Sequence, residues 1–355
     1  MDDMPDGVPS CSALNEAEFA RLMGLCFDDK PDRVPTSVAV AVSGGADSMA
    51  LCLLSRVWAH KNEVALTALT VDHGLRKNSA DEAAQVGAWL AARGIRHQVL
   101  KWAGGADVQS RVQERARDAR YALMRDWCLD RGVAYLLVAH HQEDQAETVL
   151  MRLKKKSGLL GLAGMARTRD LGGVLLLRPL LDVKKSRLRQ TLKDTDQDWV
   201  EDPSNDNLAF ERVRIRKFLA HLEHEGVSAE RLAAAASAVG RVRTVLECAA
   251  DDVISTAVVA QGAGGLCIDA SLFLGVPRTV RQLVLAKLLA QIGGRGYPSA
   301  RSKLDSLLTW MEAQESTPVA RTLGGCAVRR THKGRDKTGT LSFLISPEGP
   351  RGGRK

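Results

Sequence analysis

The feature that most constrains this chain is a glycine-rich hexapeptide, SGGADS at 43–48, which lies between a strand pattern and a helix pattern. The preceding run, SVAVAV at 37–42, favours a buried strand, and residues 48–60 are rich in helix formers. At such a turn, two glycines let successive backbone amides point into one concavity, and the positive end of the helix dipole faces the same space. The pattern therefore predicts a binding site for phosphate groups.

Asp47 is unexpected in a phosphate site, because a carboxylate repels phosphate unless a cation lies between them. Mg²⁺ prefers oxygen ligands, so this residue predicts a magnesium site beside the phosphates. The serines and the aspartate could instead only cap the helix, but the whole hexapeptide between strand and helix favours phosphate binding. No Gly-Lys-Ser/Thr follows, which separates it from the P-loop of kinases. It resembles the PP-loop of the N-type ATP pyrophosphatases, which implies cleavage of ATP to AMP and pyrophosphate.

Strand and helix patterns alternate through the next hundred or so residues. Apolar strand patterns fall at 63–71, 96–102 and 133–138, with helical patterns at 79–93 and 108–129. This alternation predicts an α/β fold with a doubly wound, mostly parallel, Rossmann-like sheet. Ligands are expected at the carboxyl ends of its strands.

Polar residues follow two of these predicted strands. His73 and Arg76 come after the second strand, which makes them candidates for nucleotide contacts. Asp144 and Glu147 come after the fourth strand and share one face at a helix start, where acids can also simply favour the helix dipole. The adjacent histidines at 140–141 could join these acids in a zinc site. We disfavour that site because neighbouring residues at a strand end point apart.

Charge and cysteine content narrow the class of protein. The formal net charge of +8 suggests an anionic partner such as nucleic acid. The seven cysteines include no C-x-x-C pair, which argues against a zinc ribbon or an iron–sulfur cluster. The acidic N-terminus lacks the apolar core of a signal peptide, and no apolar run reaches membrane-spanning length. We therefore predict a cytoplasmic protein without a membrane partner.

Five stretches together resemble the tRNA(Ile)-lysidine synthetase family. They are SGGADS at 43–48, VDHGLR at 71–76, ARDARY at 116–121, HHQEDQAET at 140–148 and SGLLGLAGM at 157–165. Weaker agreement follows in RPLL at 178–181, EDPSN at 201–205 and RVRIR at 212–216. The hexapeptide alone indicates only the superfamily, whereas the ordered set is specific and covers about residues 37–220. One departure is the run of lysines at 154–156, where family members commonly have Arg-Gly.

The resemblance implies a two-step reaction on RNA. ATP adenylates the C2 carbonyl oxygen of the wobble cytidine in an isoleucine tRNA with a CAU anticodon, and pyrophosphate is released. The ε-amine of L-lysine then displaces AMP, which gives lysidine. The enzyme would be a carbon–nitrogen ligase with ATP as co-substrate and Mg²⁺ as cofactor. The oligomeric state stays open, with a dimer as one option.

The implied roles fall on matching residues of this sequence. ATP is expected at Ser43, Gly44, Gly45, Ala46, Asp47 and Ser48, with His73 and Arg76 as further contacts. The expected catalytic residues are Asp47, which holds Mg²⁺, Asp144 and Glu147, which bind lysine, and Arg120, with Arg117 as a weaker candidate. Phosphates of tRNA are expected at Lys154, Lys155, Lys156, Arg212, Arg214 and Arg216, and in the region 184–189. Two carboxylates suit the lysine ammonium, and one of them could help to remove its proton.

A chain of 355 residues is too long for most single cores, so several domains are expected. We predict a partly disordered N-terminal extension at 1–35, with one short helix at 15–26, and a PP-loop catalytic domain at 36–220. A mainly helical, tRNA-binding region follows at 221–330, with helices at 228–251, 278–292 and 300–313. A basic tail at 331–355 finishes the chain and contains one strand at 339–345.

Three other interpretations stay open at this stage. A PP-loop ligase acting on a small molecule usually carries a glutaminase domain, and the sequence has no nucleophilic cysteine elbow. A sulfur-inserting RNA enzyme of the superfamily needs paired cysteines, and these cysteines are isolated. A nucleotide-binding regulatory module would leave Asp47, Asp144 and Glu147 without a role.

Overall fold

The chain divides into two compact units, Met1–Gly240 and Arg241–Lys355. The structure is a computed structural model that describes residues 12–27, 35–72, 74, 79–102, 112–155, 157–201, 211–261, 265–294, 301–313, 320–333 and 340–348. The first unit extends beyond the predicted catalytic domain, 36–220, at both ends.

The first unit is organised by a single sheet. Its described strands are β1 (Ser37–Ala41), β2 (Ala65–Asp72), β3 (Arg96–Lys101), β4 (Tyr135–Leu137), β5 (Thr168–Asp170) and β6 (Leu175–Leu177). They lie in the order β3-β2-β1-β4-β6-β5, and neighbours are parallel except for the antiparallel pair β5 and β6. The strand order reverses between β1 and β4, which places a ligand crevice at their carboxyl ends. The predicted doubly wound, mostly parallel sheet is confirmed.

Helices connect these strands and cover the sheet. Those described that begin in the first unit are α1 (Glu16–Gly24), α2 (Ala46–Lys61), α3 (Ser79–Ala92), α4 (Val112–Asp130), α5 (Gln142–Lys154), α6 (Lys185–Asp194), α7 (Glu211–His224) and α8 (Ala229–Ala257). None of the described helices combines the length and the apolar character needed to span a lipid bilayer.

The strand that leads into the hexapeptide is buried on both faces. Val38 and Val40 of β1 point to one side and share a core cluster with Met49 of α2. Ala39 points to the other side and lies in a second cluster with Leu69 of β2. Burial on both faces is typical of a central parallel strand and explains why its sequence is apolar without alternation. The start of the hexapeptide is therefore fixed by packing.

The N-terminal segment is part of the core, which corrects one prediction. Asn15 Oδ1 accepts from the N–H of Glu18 at 2.9 Å and Glu18 Oε2 accepts from the N–H of Asn15 at 3.1 Å, so α1 begins with a capping box. Glu18 also accepts from Arg187 of α6 at 2.9 Å. The buried face of α1 consists of Phe19, Leu22 and Met23. The short helix expected at 15–26 is present as α1, and it packs into the core where an extension was predicted, while 1–11 and 28–34 lie outside the described residues.

The second unit contains an antiparallel sheet. Its described elements are β7 (Val258–Gln261), β8 (Gly265–Asp269), α9 (Ala270–Leu274), α10 (Arg278–Gly293), α11 (Arg301–Glu312), β9 (Arg321–Leu323), β10 (Cys326–Lys333) and β11 (Thr340–Pro347). The strand order is β7-β8-β11-β10-β9. Val328, Phe343 and Ile345 of this sheet are fully buried.

The predictions for this part of the chain hold in outline but miss most of the sheet. The region 221–330 is mainly helical, as predicted, and β7, β8, β9 and most of β10 also lie within it. The expected tail at 331–355 holds the end of β10 and all of β11, which overlaps the strand predicted at 339–345. The sheet was missed because it depends on distant pairing, for example of Ile268 with Phe343, and not on a local pattern.

Candidate active site

The hexapeptide forms the turn between β1 and α2. Gly44 has φ of +86°, which favours glycine, and a Cβ there would lie 2.8 Å from Val86 and 3.2 Å from Val200. The N–H of Val200 donates to the Gly44 carbonyl at 2.9 Å. Gly45 is the N-cap of α2 and makes no side-chain capping bond, which suits a helix start that binds an anion.

The two serine hydroxyls of the hexapeptide bond to the turn itself. Ser48 Oγ accepts from the N–H of Ser43 at 3.1 Å and donates to the Gly45 carbonyl at 2.9 Å. Ser43 Oγ lies 3.2 Å from Ser48 Oγ, and either hydroxyl could be the donor in this contact. Both hydroxyls therefore lie within the turn, beside the backbone amides that are expected to bind phosphate.

Asp47 projects from the first turn of α2 into a group of positive charges. Its Oδ2 lies 3.4 Å from His141 Nε2 and 3.6 Å from Lys185 Nζ. Its Oδ1 is buried and has no hydrogen-bond partner among the described residues. Burial alone would raise the pKa of Asp47, but the hydrogen bond and charge of His141, with the charges of Lys185 and Arg189, hold that pKa below its ordinary value. The carboxylate is ionised and keeps one oxygen for a further ligand.

His141 is the centre of the site, and sequence reasoning did not give it a role. Its ring is 4% exposed, with Nδ1 2.9 Å from Glu143 Oε2 and Nε2 3.5 Å from Asp144 Oδ2. Burial would lower the pKa of His141, but hydrogen bonds to Asp47 and Glu143 and the charge of Asp144 raise it to about 10. The imidazolium therefore joins carboxylates from α2 and α5 into one cluster. The local motif held no signal for this role, because Asp47 lies far earlier in the chain.

Glu143 connects the start of α5 to the start of α6. Both of its carboxylate oxygens lie 3.1 Å from the N–H of Lys185, so Glu143 caps a helix that has no side-chain cap of its own. This contact holds Lys185 beside Asp47, whereas the neighbouring Lys184 pairs with Glu230 at 2.8 Å. The region 184–189 was expected to contact tRNA phosphates. Its residue Lys185 instead lies beside the hexapeptide turn, where the phosphates of ATP are expected.

The two adjacent histidines have different partners and different charges. His140 Nδ1 accepts from Arg178 Nε at 3.2 Å. Burial, together with the charges of Arg178 and Arg117, outweighs Asp144 and lowers the pKa of His140 to about 3. His140 is thus neutral. Among the described residues, no group of three or more His, Cys, Asp or Glu side chains is arranged to hold a metal ion.

The two arginines of α4 that are expected near the site differ in their burial. Arg120 is exposed, with its guanidinium 5.4 Å from the ring centroid of Tyr121. Arg117 lies 5.5 Å from the same centroid but is partly buried. Burial lowers the pKa of Arg117, and the charges of Arg212 and Asp144 also act on it. Arg117 is therefore the more buried of the two, and the roles of both arginines stay predictions.

Asp144 and Glu147 lie near the start of α5 and differ in their contacts. Asp144 Oδ2 accepts from the N–H of His141 at 3.1 Å. Glu147 is 1% exposed, and its Oε1 accepts from Arg216 Nε at 2.9 Å, while Oε2 is buried without a partner among the described residues. Burial raises the pKa of Glu147, and the nearby Arg216 opposes that rise only in part. The pair offers negative charge and one unsatisfied oxygen.

The predicted tRNA contacts differ in their exposure, and two of them form ion pairs with carboxylates. Lys154 Nζ forms an ion pair with Glu211 Oε1 at 2.8 Å, and Arg216 is bound to Glu147. Lys155 and Arg214 are exposed, and Arg212 is partly buried. Three predicted site residues, His73, Arg76 and Lys156, lie outside the described part of the chain.

The apolar stretch at 157–165 is fastened to α5. Gln145 Nε2 donates to the Met165 carbonyl at 2.9 Å, and Gln145 Oε1 accepts from the N–H of Met165 at 2.6 Å. Arg152 donates to the carbonyl oxygens of Gly161 and Gly164. The stretch is therefore positioned by the helix that carries Asp144 and Glu147.

The parallel sheet, the hexapeptide turn and the carboxylates on α5 define a PP-loop nucleotide-binding protein. Residues 16–223 match the PP-loop domain family. The solved U34-tRNA thiolase NcsA from Methanococcus maripaludis, with its [4Fe-4S] cluster, has a TM-score of 0.52 over 65% of this chain and 78% of that chain. At 14% identity, that likeness shows the fold alone.

Sequence relatives identify the family within this class. The tRNA(Ile)-lysidine synthase of Methylobacterium nodulans is 39% identical over 317 residues, which are 88% of this chain and 90% of that protein. The tRNA(Ile)-lysidine synthase of Ruegeria pomeroyi is 38% identical over 293 residues, which are 81% and 67% of the two chains. The chain therefore belongs to the tRNA(Ile)-lysidine synthase family.

Proposed function

We propose that this chain ligates L-lysine to C2 of the wobble cytidine of an isoleucine tRNA with a CAU anticodon, at the expense of ATP. The observation that carries the proposal is the joining of two sites through α5. His141 Nε2 lies 3.4 Å from Asp47 Oδ2 in the hexapeptide turn and 3.5 Å from Asp144 Oδ2 in the Asp144–Glu147 pair, so the two sites meet at one ring nitrogen. A regulatory nucleotide-binding module would need only the first site. A sulfur-inserting enzyme would need paired cysteines.

In the first step, the cytidine C2 carbonyl oxygen attacks the α-phosphorus of ATP, and the bond to pyrophosphate breaks. The amides of the hexapeptide turn would bind the phosphates, and Lys185 and Arg189 would place positive charge near the departing pyrophosphate. The donor set fits Mg²⁺, because Asp47 Oδ1 is buried without a partner among the described residues and Mg²⁺ is commonly held by one or two carboxylates plus phosphates. Bound Mg²⁺ would neutralise part of the negative charge on the phosphates.

In the second step, the ε-amine of lysine forms a bond to C2, and AMP leaves with the electron pair of the C–O bond. Asp144 and Glu147 would receive the ammonium, which is protonated at neutral pH. Burial raises the pKa of Glu147, so this carboxylate is the better proton acceptor. Arg117, on which the charge of Asp144 acts, would steady the negative charge of the adenylate.

The RNA substrate fits the remaining features. A base in an anticodon loop can be splayed out of its stack and so reach the site. Lys154, Lys155, Lys156, Arg212 and Arg214 are proposed to contact phosphates, which position the RNA without reading its sequence. Substrates of this kind also favour a cytoplasmic location.

The test is incorporation of labelled lysine into a transcript of the isoleucine tRNA with a CAU anticodon. We expect pyrophosphate release that depends on this transcript, and label in the RNA when lysine is added. A transcript with uridine at the wobble position is the control and should accept no lysine. Pyrophosphate release without RNA, or a transcript that stays unlabelled, would overturn the proposal.

A further inference from the structure

Glu147 is a buried carboxylate that is only half satisfied. Its side chain is 1% exposed, and Oε1 has a donor in Arg216 Nε at 2.9 Å. Its other oxygen, Oε2, is also buried and has no donor among the described residues. A buried charged oxygen without a donor is costly, so native structures usually supply one from protein, water or ligand. The position of Oε2 therefore points to a cationic ligand.

The Arg216 side chain is 42% exposed, but its position on α7 is set by packing of this helix against α5. Val213 and Leu219 of α7 are buried, and Arg216 lies midway between them at helical spacing, on the same face. Leu219 shares a core cluster with Ala146, the residue before Glu147. The guanidinium donates from Nε to Oε1 of Glu147. It does not form the two-point pair that would bond to both carboxylate oxygens. Arg216 thereby fixes the carboxylate with Oε2 turned away from it.

We infer that Arg216 is a positioning residue for lysine: it holds Oε1 of Glu147, so that Oε2 is presented to the ε-ammonium of the substrate. The inference rests on the proposed function, and it moves Arg216 out of the set of expected tRNA phosphate contacts. Two other roles predict different results. An arginine that competes with lysine for Glu147 would weaken lysine binding, and an arginine that contacts phosphate would act on tRNA alone.

The test compares Arg216→Ala with the wild type in lysidine formation, with lysine varied and with ATP and tRNA saturating. We expect the KM for lysine to rise by about tenfold or more, the effect of losing a charged hydrogen bond. The KM for ATP and the salt dependence of tRNA affinity should stay unchanged. Arg216→Lys, which can still donate to Oε1, should recover part of the lysine KM. Arg243→Ala, which breaks the exposed pair with Glu247, is the matched control and should change none of these values.

A double-mutant cycle separates positioning from a general structural effect. If Arg216 acts through Glu147, adding Arg216→Ala to Glu147→Gln should leave the lysine KM of Glu147→Gln nearly unaltered. Where Arg216→Ala does not fold, Arg216→Gln gives the same comparison. An unchanged or lower lysine KM would overturn the inference, as would a loss confined to the tRNA salt slope.

Direct binding of labelled lysine, without tRNA, distinguishes this inference from the proposed function. A wild type that binds lysine but makes no lysidine defeats the proposed function, and weaker binding by Arg216→Ala then still supports the inference. A wild type that makes lysidine, with equal lysine affinity in the variant, defeats the inference alone. A wild type that binds no lysine defeats both.

Discussion

At the scale of single residues, the site depends on charges that are buried together. Asp47 stays ionised next to His141 and Lys185, while the pKa of Glu147 is raised because burial outweighs the positive charges of Arg216 and Arg212. Two acids of similar chemistry thus have opposite pKa shifts. The first suits a permanent anion that binds a cation, and the second suits a group that exchanges a proton.

Asp47→Asn should reduce tRNA-dependent pyrophosphate release by about 100-fold or more, because the amide keeps the shape but removes the charge that would hold a cation at the phosphates. Release is measured with saturating ATP, and thermal unfolding checks the fold. Asp126→Asn is the control, since Asp126 is exposed and paired only with the adjacent Arg125 among the contacts the structure describes. A folded Asp47→Asn protein with near-normal release would exclude the metal-ligand role.

Glu147 should leave a signature in stability as a function of pH. The fold raises its pKa above the ordinary value of 4.5, so the folded protein binds this proton more readily than the unfolded chain does. The stability from this group is present below pH 4.5 and is lost as pH rises through the folded pKa. Urea unfolding at several pH values should show the wild type losing free energy of unfolding relative to Glu147→Gln over that window. A flat difference, or one of opposite slope, would contradict the shift.

At the scale of elements, the unit of β1, the hexapeptide turn and α2 could be predicted from the sequence, because it is determined by residues that are adjacent in the chain. An apolar strand pattern, two glycines and a run of helix formers are consecutive in the chain. The observed bounds of β1 and α2 agree closely with this pattern. The cap on α6 was not readable, because Glu143 reaches Lys185 only after the intervening chain has folded. The role of His141 was missed for the same reason, because its partner Asp47 lies on another helix.

Alanine substitutions at the two glycines of the hexapeptide turn should have different effects, one mainly on stability and the other mainly on ATP affinity. Gly44→Ala puts a Cβ 2.8 Å from Val86 at φ of +86°, so we expect a loss of about 1–3 kcal/mol in free energy of unfolding. Gly45→Ala meets only Ser43 Oγ, at 3.7 Å, so stability should change little while ATP affinity falls if phosphate lies against this residue. Urea unfolding and ATP titration test the pair. Equal loss of stability in both variants would contradict this division.

Lys185, at the start of α6, should contribute to ATP binding through its charge. Its ammonium lies 3.6 Å from Asp47 Oδ2, where phosphate oxygens are expected. We expect Lys185→Ala to raise the KM for ATP by about tenfold or more, with little change in the KM for lysine. Lys193→Ala, an exposed lysine near the other end of α6, is the control. A KM for ATP equal to that of the control would remove Lys185 from the site.

At the scale of the whole molecule, the sequence predicted the first unit far better than the second. In the sheet of the first unit, β1 to β4 alternate with helices, and each of these strands has its own local pattern, whereas the three-residue strands β5 and β6 were not predicted. In the sheet of the second unit, β8 pairs with β11, which is far away in sequence, and only the strand at 339–345 and the helices had a local pattern. The packing of α1 was missed for a similar reason, since Arg187 and the central core bind it from distant positions.

The last prediction concerns the lysines at 154–156, which are expected to contact phosphates of the tRNA. Each phosphate neutralised by the protein adds roughly 0.7–0.9 to the slope of log affinity against log salt. Replacing Lys154, Lys155 and Lys156 by alanine should make that slope shallower by about two to three units if all three contact phosphate. Lys154 must first leave Glu211, 2.8 Å away, but this pair is exposed and therefore weak. Affinity for ATP should hardly change. An unaltered salt slope would mean that these lysines are only solvated, and the tRNA would then have to bind elsewhere on the chain.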